Sequence, residues 1–334
     1  MTSDTNPSTT EDVVATNARA GSAPLLRTVG SALSRLGIFL ALIVLSAAIA
    51  FLSPHFLKVT NLLNVLLQAS INTIVALGMT FIITSGGIDL SVGSIVGLSG
   101  MVVADILLKG HGMPIGLLGG LVAGVILGFT NGALIAKTKL PPFIITLGSM
   151  SILRGLALIY NQGRPIYGLA KKDVTQVAGY LGAVPKPVII AAIVAAIAWF
   201  VFRYTKIGEY AIAIGGNEEA ARLSGINVNR YKVVIYSIGG MLCGLAGTVL
   251  TARLYAAEPI AGMGYELDAI AATVMGGTSL DGGEGTVVGT VIGAMIMSVL
   301  RNALNLLNVQ SYYQQVVIGV VIVLAVVLDQ IRKE

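Results

Sequence analysis

The chain has 334 residues, of which 55% are hydrophobic and only 11% charged. A soluble domain carries about 25% charged residues, so this composition excludes a protein that meets water on every side. The net charge of +5 comes without a basic stripe interleaved with aromatics, which argues against a nucleic-acid binder, and the single cysteine, Cys243, cannot form an intramolecular disulfide.

The first stretch, 1–34, is rich in Ser, Thr, Ala and Asn with scattered charges and reads as a flexible tail. The first apolar run begins only after Arg35, and no small-residue cleavage site follows it, so it is not read as a secretory signal. The tail is expected to remain in the cytoplasm. The membrane domain is expected over 35–330, with an inner loop at 203–232 and a short cytoplasmic C-terminus at 331–334.

A helix needs about 20 apolar residues to cross the hydrocarbon core. Apolar runs of roughly that order fall at 36–57, 61–85, 90–108 (interrupted by Asp105), 114–136, 141–160 (carrying Arg154), 187–202, 233–252, 267–280, 285–307 and 313–328. The fold class is therefore an all-α membrane protein of about ten transmembrane helices, some broken by glycine or re-entrant. An even count puts both termini on one side. Arg19, Arg27, Arg35, Lys137, Lys139, Arg203, Lys206, Arg222, Arg230, Lys232, Arg332 and Lys333 all fall on that side. Positive residues in short loops face the cytoplasm, so that side is inside. The loop 161–186 dissents, with Arg164, Lys171, Lys172 and Lys186 on the outside. It is either an exposed loop or the place where a re-entrant segment upsets the count.

Glycine recurs every fourth residue at Gly112, Gly116, Gly120, Gly124, Gly128 and Gly132. Residues four apart share a helix face, and a bare stripe lets helices in lipid approach closely. Tight packing is the expected role. Gly86-Gly87, followed by Asp89-Leu90 and a helix with Gly93 and Gly97, has a counterpart in Gly276-Gly277, followed by Leu280-Asp281 and a helix with Gly285, Gly289 and Gly293. Internal repeats of broken helices are common in transporters. Two similar tight turns, with Asp89 as a helix cap, would give the same pattern.

Polar residues inside spans are costly and need a reason. Asn64, Gln68 and Asn72 share a face of the second span, and Asn302, Asn305 and Asn308 make a looser stripe on the ninth. Amides that donate and accept suit the path of an uncharged, hydroxylated solute, and equally suit bonds between helices. Arg154 and Arg301 need partners, for which Glu266 and Asp268 are candidates.

No catalytic constellation or metal-ligand cluster is visible, and no cofactor is expected. His55 and His111 are isolated. The chain lacks the G-x-x-x-x-G-K-[ST] loop that would cradle nucleotide phosphates, so ATP-driven transport would require a separate ATPase.

The charged segment 217–227 stands apart in this apolar chain. Gly215-Gly216 breaks the backbone and Asn217 is a good N-cap. Glu218 and Glu219 occupy the first turn, where the helix dipole favours anions, and Gly225 is a ready stop. This specifies about two turns of helix beneath the membrane, with Ala220, Ala221 and Leu223 on its outer face.

Glu219-Ala220-Ala221-Arg222-Leu223-Ser224-Gly225 resembles the Glu-Ala-Ala-xxx-Gly core of the coupling loop in ABC importer permeases. SGGIDLSVGS at 85–94, GGNEEAARLSGINV at 215–228 and GYELDAIAATVMGGTSLDGGEGT at 264–286 are similar to the ribose branch of sugar permeases, a class that also takes xylose and galactosides. The likeness runs over 36–329. It implies an ABC importer permease-like fold in a bacterial inner membrane and a path for a monosaccharide. It also implies a second permease copy, commonly identical, a periplasmic sugar-binding protein, and an ATPase with two fused nucleotide-binding domains. Glu219, Ala220, Ala221 and Gly225 would be the coupling contacts, flanked by Glu218 and Arg222. The Asn64, Gln68, Asn72, Asn302 and Asn305 faces are candidates for the path from the residue pattern alone. The alternative is a self-contained secondary transporter, which would need coupling-ion carboxylates such as Asp105 or Asp268; a non-transporting scaffold would have little need of paired broken helices.

Overall fold

The computed structural model describes residues 37–138 and 140–333, the side chains of 325, 328, 329 and 331–333 excepted. The tail expected at 1–34 and Lys139 lie outside the described residues. Thirteen helices follow one another among those described. They are α1 (Gly37–Leu52), α2 (Val59–Thr84), α3 (Val92–Leu108), α4 (Met113–Thr138), α5 (Pro142–Tyr160), α6 (Lys171–Ala178), α7 (Lys186–Tyr204), α8 (Lys206–Gly216), α9 (Glu218–Leu223), α10 (Val228–Leu254), α11 (Tyr265–Met275), α12 (Val287–Leu306) and α13 (Ser311–Lys333). One two-stranded antiparallel hairpin, β1 (Tyr180–Leu181) with β2 (Val184–Pro185), joins α6 to α7.

Each predicted apolar run contains a helix, but the runs are not equivalent. Six helices, α2, α4, α5, α7, α10 and α12, are long and apolar enough to cross a membrane, whereas α1, α3 and α13 carry shorter apolar stretches. The run at 267–280 yields only the 11 residues of α11. At ~1.5 Å per residue that is about 16 Å, roughly half the hydrocarbon core. The helix stops because Gly276-Gly277 follows, with Gly277 at φ +89°. α13 continues to Lys333, past the boundary at 330.

The dissenting loop 161–186 holds the short helix α6, with Val174 and Val177 buried, and the β1–β2 hairpin. Its cations Arg164, Lys171 and Lys172 are exposed, and Lys186 Nζ donates to the Thr175 carbonyl at 3.0 Å. A second irregular stretch lies between α10 and α11, at 255–264.

α2 and α10 form the centre of the bundle. The glycine ladder of α4 packs backbone to backbone on α10: a Cβ on Gly124 would collide with the Gly240 carbonyl, one on Gly128 with the Tyr236 carbonyl, and one on Gly244 with the Gly120 carbonyl. This is the tight-packing role expected of the ladder. α3 and α5 run side by side in the same direction. Thr146 Oγ1 donates to the Ile88 carbonyl (3.1 Å), Ser94 Oγ to the Met150 carbonyl (2.9 Å) and Tyr160 Oη to Asp105 (3.0 Å).

The Gly-Gly turns after α2 and α11 have matching geometry. Gly86 N–H bonds the Ile83 carbonyl and Gly87 N–H the Ile82 carbonyl; Gly277 N–H bonds the Val274 carbonyl and Thr278 N–H the Thr273 carbonyl. Both are Schellman stops with a left-handed glycine at C′, at φ +77° for Gly86 and +89° for Gly277. The correspondence corrects the sequence pairing by one residue: Gly86 matches Gly277, and Ser85 matches Gly276. Asp89 and Asp281 are therefore not equivalent positions.

Candidate functional site

A charged turn connects α8, α9 and α10. Thr205 Oγ1 caps α8 by accepting from Ile207 N–H at 3.2 Å, and α8 runs into the Gly215-Gly216 pair. Asn217 Oδ1 then caps α9 through Ala220 N–H at 2.9 Å, as its sequence position predicts. Gly225, at φ +84°, ends α9 in the same Schellman pattern, its N–H on the Arg222 carbonyl and the Ile226 N–H on the Ala221 carbonyl.

A small apolar cluster of Ile214, Ala221 and Val228 fixes α9 against α8 and α10. Tyr210 and Tyr231 flank it edge to face, with ring centroids 4.5 Å apart. Ala221 is only 5% exposed. This corrects the outer face expected from sequence: Ala221 points inward, and Glu219, Ala220, Arg222 and Leu223 point outward. Leu223 is 81% exposed, a large apolar side chain at the tip of a polar turn.

Glu218 is half-buried and holds the turn to the bundle. Its carboxylate is 2.9 Å from Arg222 Nη2 and 2.6 Å from Lys232 Nζ on α10. Burial alone would raise its pKa, but Lys232 and Arg222 outweigh that and hold the carboxyl below its ordinary value.

Behind α9, three Gly-Gly segments converge. Gly283 N–H donates to the Thr84 carbonyl at 2.9 Å. A Cβ on Gly282 would come within 3.0 Å of both Gly215 and Gly86, and one on Gly215 would collide with the Thr84 carbonyl. The turn that ends α2 and the Gly282-Gly283 turn between α11 and α12 are therefore seated on the last residues of α8, directly before α9. A cavity of about 340 Å³ opens there, lined in part by Gly86, Gly216, Asn217, Glu218, Lys232 and Asp281. Deeper in, Asp89 Oδ1 accepts from Ser91 N–H (2.8 Å) and Oγ (2.6 Å), and Asn131 Nδ2 donates to Ser91 Oγ (2.8 Å). Asp89 thus closes a turn just ahead of α3 and makes no cap bond to the helix itself.

The candidate path residues separate into two groups. On α2, Asn64 is exposed, Gln68 half-buried and Asn72 buried, and Asn72 Oδ1 has no hydrogen-bond partner. On α12, Asn302 exchanges hydrogen bonds with Asn61 at 2.8 and 3.0 Å, and Asn305 Oδ1 accepts from Gln314 at 2.8 Å. Those two amides link helices. Asn308 is a left-handed stop for α12, at φ +56°.

The intramembrane arginines are both engaged. Arg301 on α12 pairs with buried Asp268 on α11 at 2.7 Å. Arg154 takes carbonyls rather than a carboxylate: Nη1 donates to Pro259 O at 2.7 Å and Ala261 O at 2.8 Å. Asp105 pairs with Lys109 at 2.7 Å, so both carboxylates that a coupling ion would need already hold cations of the chain. The sequence reading placed Lys232 only among the inner cations, missing its pairing with Glu218, and missed the irregular stretch at 255–264. Pro259, Gly262 and Gly264 are the signal that could have found the latter.

A sequence profile of the family described as "Branched-chain amino acid transport system / permease component" matches residues 61–326. The chain is 49% identical over 300 residues to the ribose import permease protein RbsC of Bacillus subtilis (strain 168), covering 89% of this chain and 93% of the relative. It is 43% identical over 297 residues to the D-allose transport system permease protein AlsC of Escherichia coli (strain K12), covering 88% and 91%. It is 38% identical over 315 residues to the galactose/methyl galactoside import permease protein MglC of the same strain, covering 89% and 94%. No solved structure matches the chain.

Proposed function

The chain belongs to the family of branched-chain amino acid transport system / permease components, and from that premise we propose that it is the membrane subunit of an ATP-driven importer that passes a ribose-like monosaccharide across a bacterial inner membrane. The observation that carries this reading is near full-length likeness, at 38–49% identity, to permeases named for ribose, allose and galactose. The family description mentions branched-chain amino acids; the relatives above are named for sugars.

In this reading α9 is the coupling helix, where a separate ATPase with fused nucleotide-binding domains docks. Glu219, Ala220, Arg222 and Leu223 make the contact surface. Ala221 and Glu218 hold that surface in place, and Gly225 ends it. Two copies of the chain assemble around one path, fed by a periplasmic sugar-binding protein, with both termini cytoplasmic. The Asn64, Gln68 and Asn72 face contributes to the path, whereas Asn302 and Asn305 serve the packing of α12 on α2 and α13.

The test is reconstitution with the ATPase and the binding protein in proteoliposomes. ATP-dependent uptake of ribose is expected, with none of leucine. Leucine uptake without sugar uptake would overturn the proposal.

A further inference from the structure

Between α10 and α11 the chain leaves helical geometry at a depth where lipid does not tolerate it. Tyr255 is left-handed at φ +54°, and Gly262 and Gly264 are at φ +77° and +83°. Ala257 bridges Ile166 in the outer loop with backbone bonds of 2.8 and 3.0 Å, so the segment starts near the outer surface and then descends. It runs down the glycine face of α3: a Cβ on Gly97 would lie 2.8 Å from the Ala261 carbonyl, and one on Gly93 would collide with the Gly262 carbonyl.

Arg154 measures the depth. It stands about 18 Å along α5 from Pro142 at ~1.5 Å per residue, and its guanidinium binds the Pro259 and Ala261 carbonyls. In a hydrocarbon core of about 30 Å, those carbonyls lie near the middle. Non-helical backbone at that depth occurs only where protein buries it or where it lines a water-filled cavity. One side of the segment is covered, with Ala256, Ala257, Pro259 and Gly262 buried, while on the other side Ile260 is 54% exposed and Met263 67%. Discontinuous helices in transporters commonly meet their solute at the break, and the open side of this break is read as facing a path.

We propose that the 258–264 segment is a wall of the solute path, with Ile260 and Met263 turned toward the passing sugar and Arg154 positioning the segment from behind. The proposal rests on the importer reading above. Apolar side chains suit this role, because a pyranose or furanose presents C–H faces as well as hydroxyls, and a wall that bound hydroxyls tightly would slow release. Arg154 and the glycine face of α3 take up the carbonyls, leaving the side chains to the lumen. A dry interface between two copies is the competing occupant of the same face.

The test uses the full chain assembled with its ATPase and binding protein, carrying Ile260→Cys or Met263→Cys, with native Cys243 buried as background. A small cationic methanethiosulfonate, which needs water to reach and ionise the thiol, is expected to label both positions at least about tenfold faster than the Cys243 background. Labelling should block ribose uptake, and turnover with ribose, binding protein and ATP should slow it. Arg154→Gln is expected to change the labelling rate at Met263→Cys severalfold, which a residue with no hold on the segment would not do. Failure of both cysteines to label, or labelling that leaves uptake intact, would overturn the wall assignment. The sugar reading fails separately, if the unmodified assembly carries no sugar; labelling that blocks a different solute would still support the wall.

Discussion

Lys232 on α10 and Glu218 on α9 form an ion pair of 2.6 Å across a turn whose outer side is exposed. The pair joins the segment proposed to meet the ATPase to one of the two central helices of the bundle. Exposed and half-exposed pairs contribute roughly 0–1 kcal/mol, so its value lies in direction more than in stability.

Lys232→Met is accordingly expected to leave folded yield and melting temperature nearly unchanged while lowering uptake per ATP hydrolysed. The exchange Glu218→Lys with Lys232→Glu should recover part of the loss. Uptake per ATP equal to wild type in Lys232→Met would remove the pair from the coupling route.

The same carboxylate gives a pH dependence with a definite sign. Its folded-state pKa is lowered from an ordinary value of 4.5. Its contribution is therefore complete above that value and is lost as pH falls through the folded-state pKa. The difference in melting temperature between wild type and Glu218→Gln should hold steady from pH 8 down to about 5 and close only below ~4.5. A difference that closes near pH 6.5 would point to some other group.

Leu223, 81% exposed at the tip of α9, is the best single probe of docking and sidedness. Leu223→Asp should weaken copurification of the ATPase at least about tenfold, since burying an unpaired carboxylate in an interface costs more than ~1.4 kcal/mol. Leu223→Cys should react with an impermeant thiol reagent only from the cytoplasmic side. Labelling from outside would reverse the orientation of every helix.

Asp268 is buried beneath Arg301, which pairs with it at 2.7 Å. Removing one partner of a buried pair costs about 3–5 kcal/mol, while replacing both with apolar side chains can be nearly neutral. Arg301→Leu should thus lower the melting temperature in detergent more than the double variant Arg301→Leu with Asp268→Leu. The opposite order would mean that α11 is held by something other than this pair.

Gly240 and Gly148 separate packing glycines from free ones. A Cβ on Gly240 would lie 2.8 Å from Gly128 backbone atoms and collide with the Gly124 carbonyl, whereas one on Gly148 meets nothing within 4 Å. Gly240→Ala should cost about 1–3 kcal/mol by overpacking, and Gly148→Ala should be neutral or gain up to ~1 kcal/mol from helix propensity. Yield of monodisperse protein in detergent checks both.

Much of this architecture can be read from residue type because lipid makes the rules severe. Each apolar run contains a helix, and the α9 cap at Asn217 and stop at Gly225 sit where their chemistry puts them. What stayed illegible depends on long-range placement. Ala221 and Leu223 are both small or apolar in the sequence, and only packing against Ile214 and Val228 decides which turns inward. Asn302 reads as a path amide until Asn61, far away in the chain, is found to satisfy it. Arg154 invites a search for a carboxylate, yet it takes two carbonyls released by a break in the helix. The break itself is written in Pro259, Gly262 and Gly264, but its depth appears only when α3 and α5 are set beside it.

The α4–α10 contact has a mechanical consequence. Side chains let packed helices slide by changing rotamers, and this seam consists of backbone on backbone with almost none to change. α4 and α10 are thus joined as a stator. In the proposed coupling role of α9, displacement arriving there must be absorbed by elements that lack such a seam, and the natural ones are short α11, the glycine turn that follows it and the irregular stretch that precedes it.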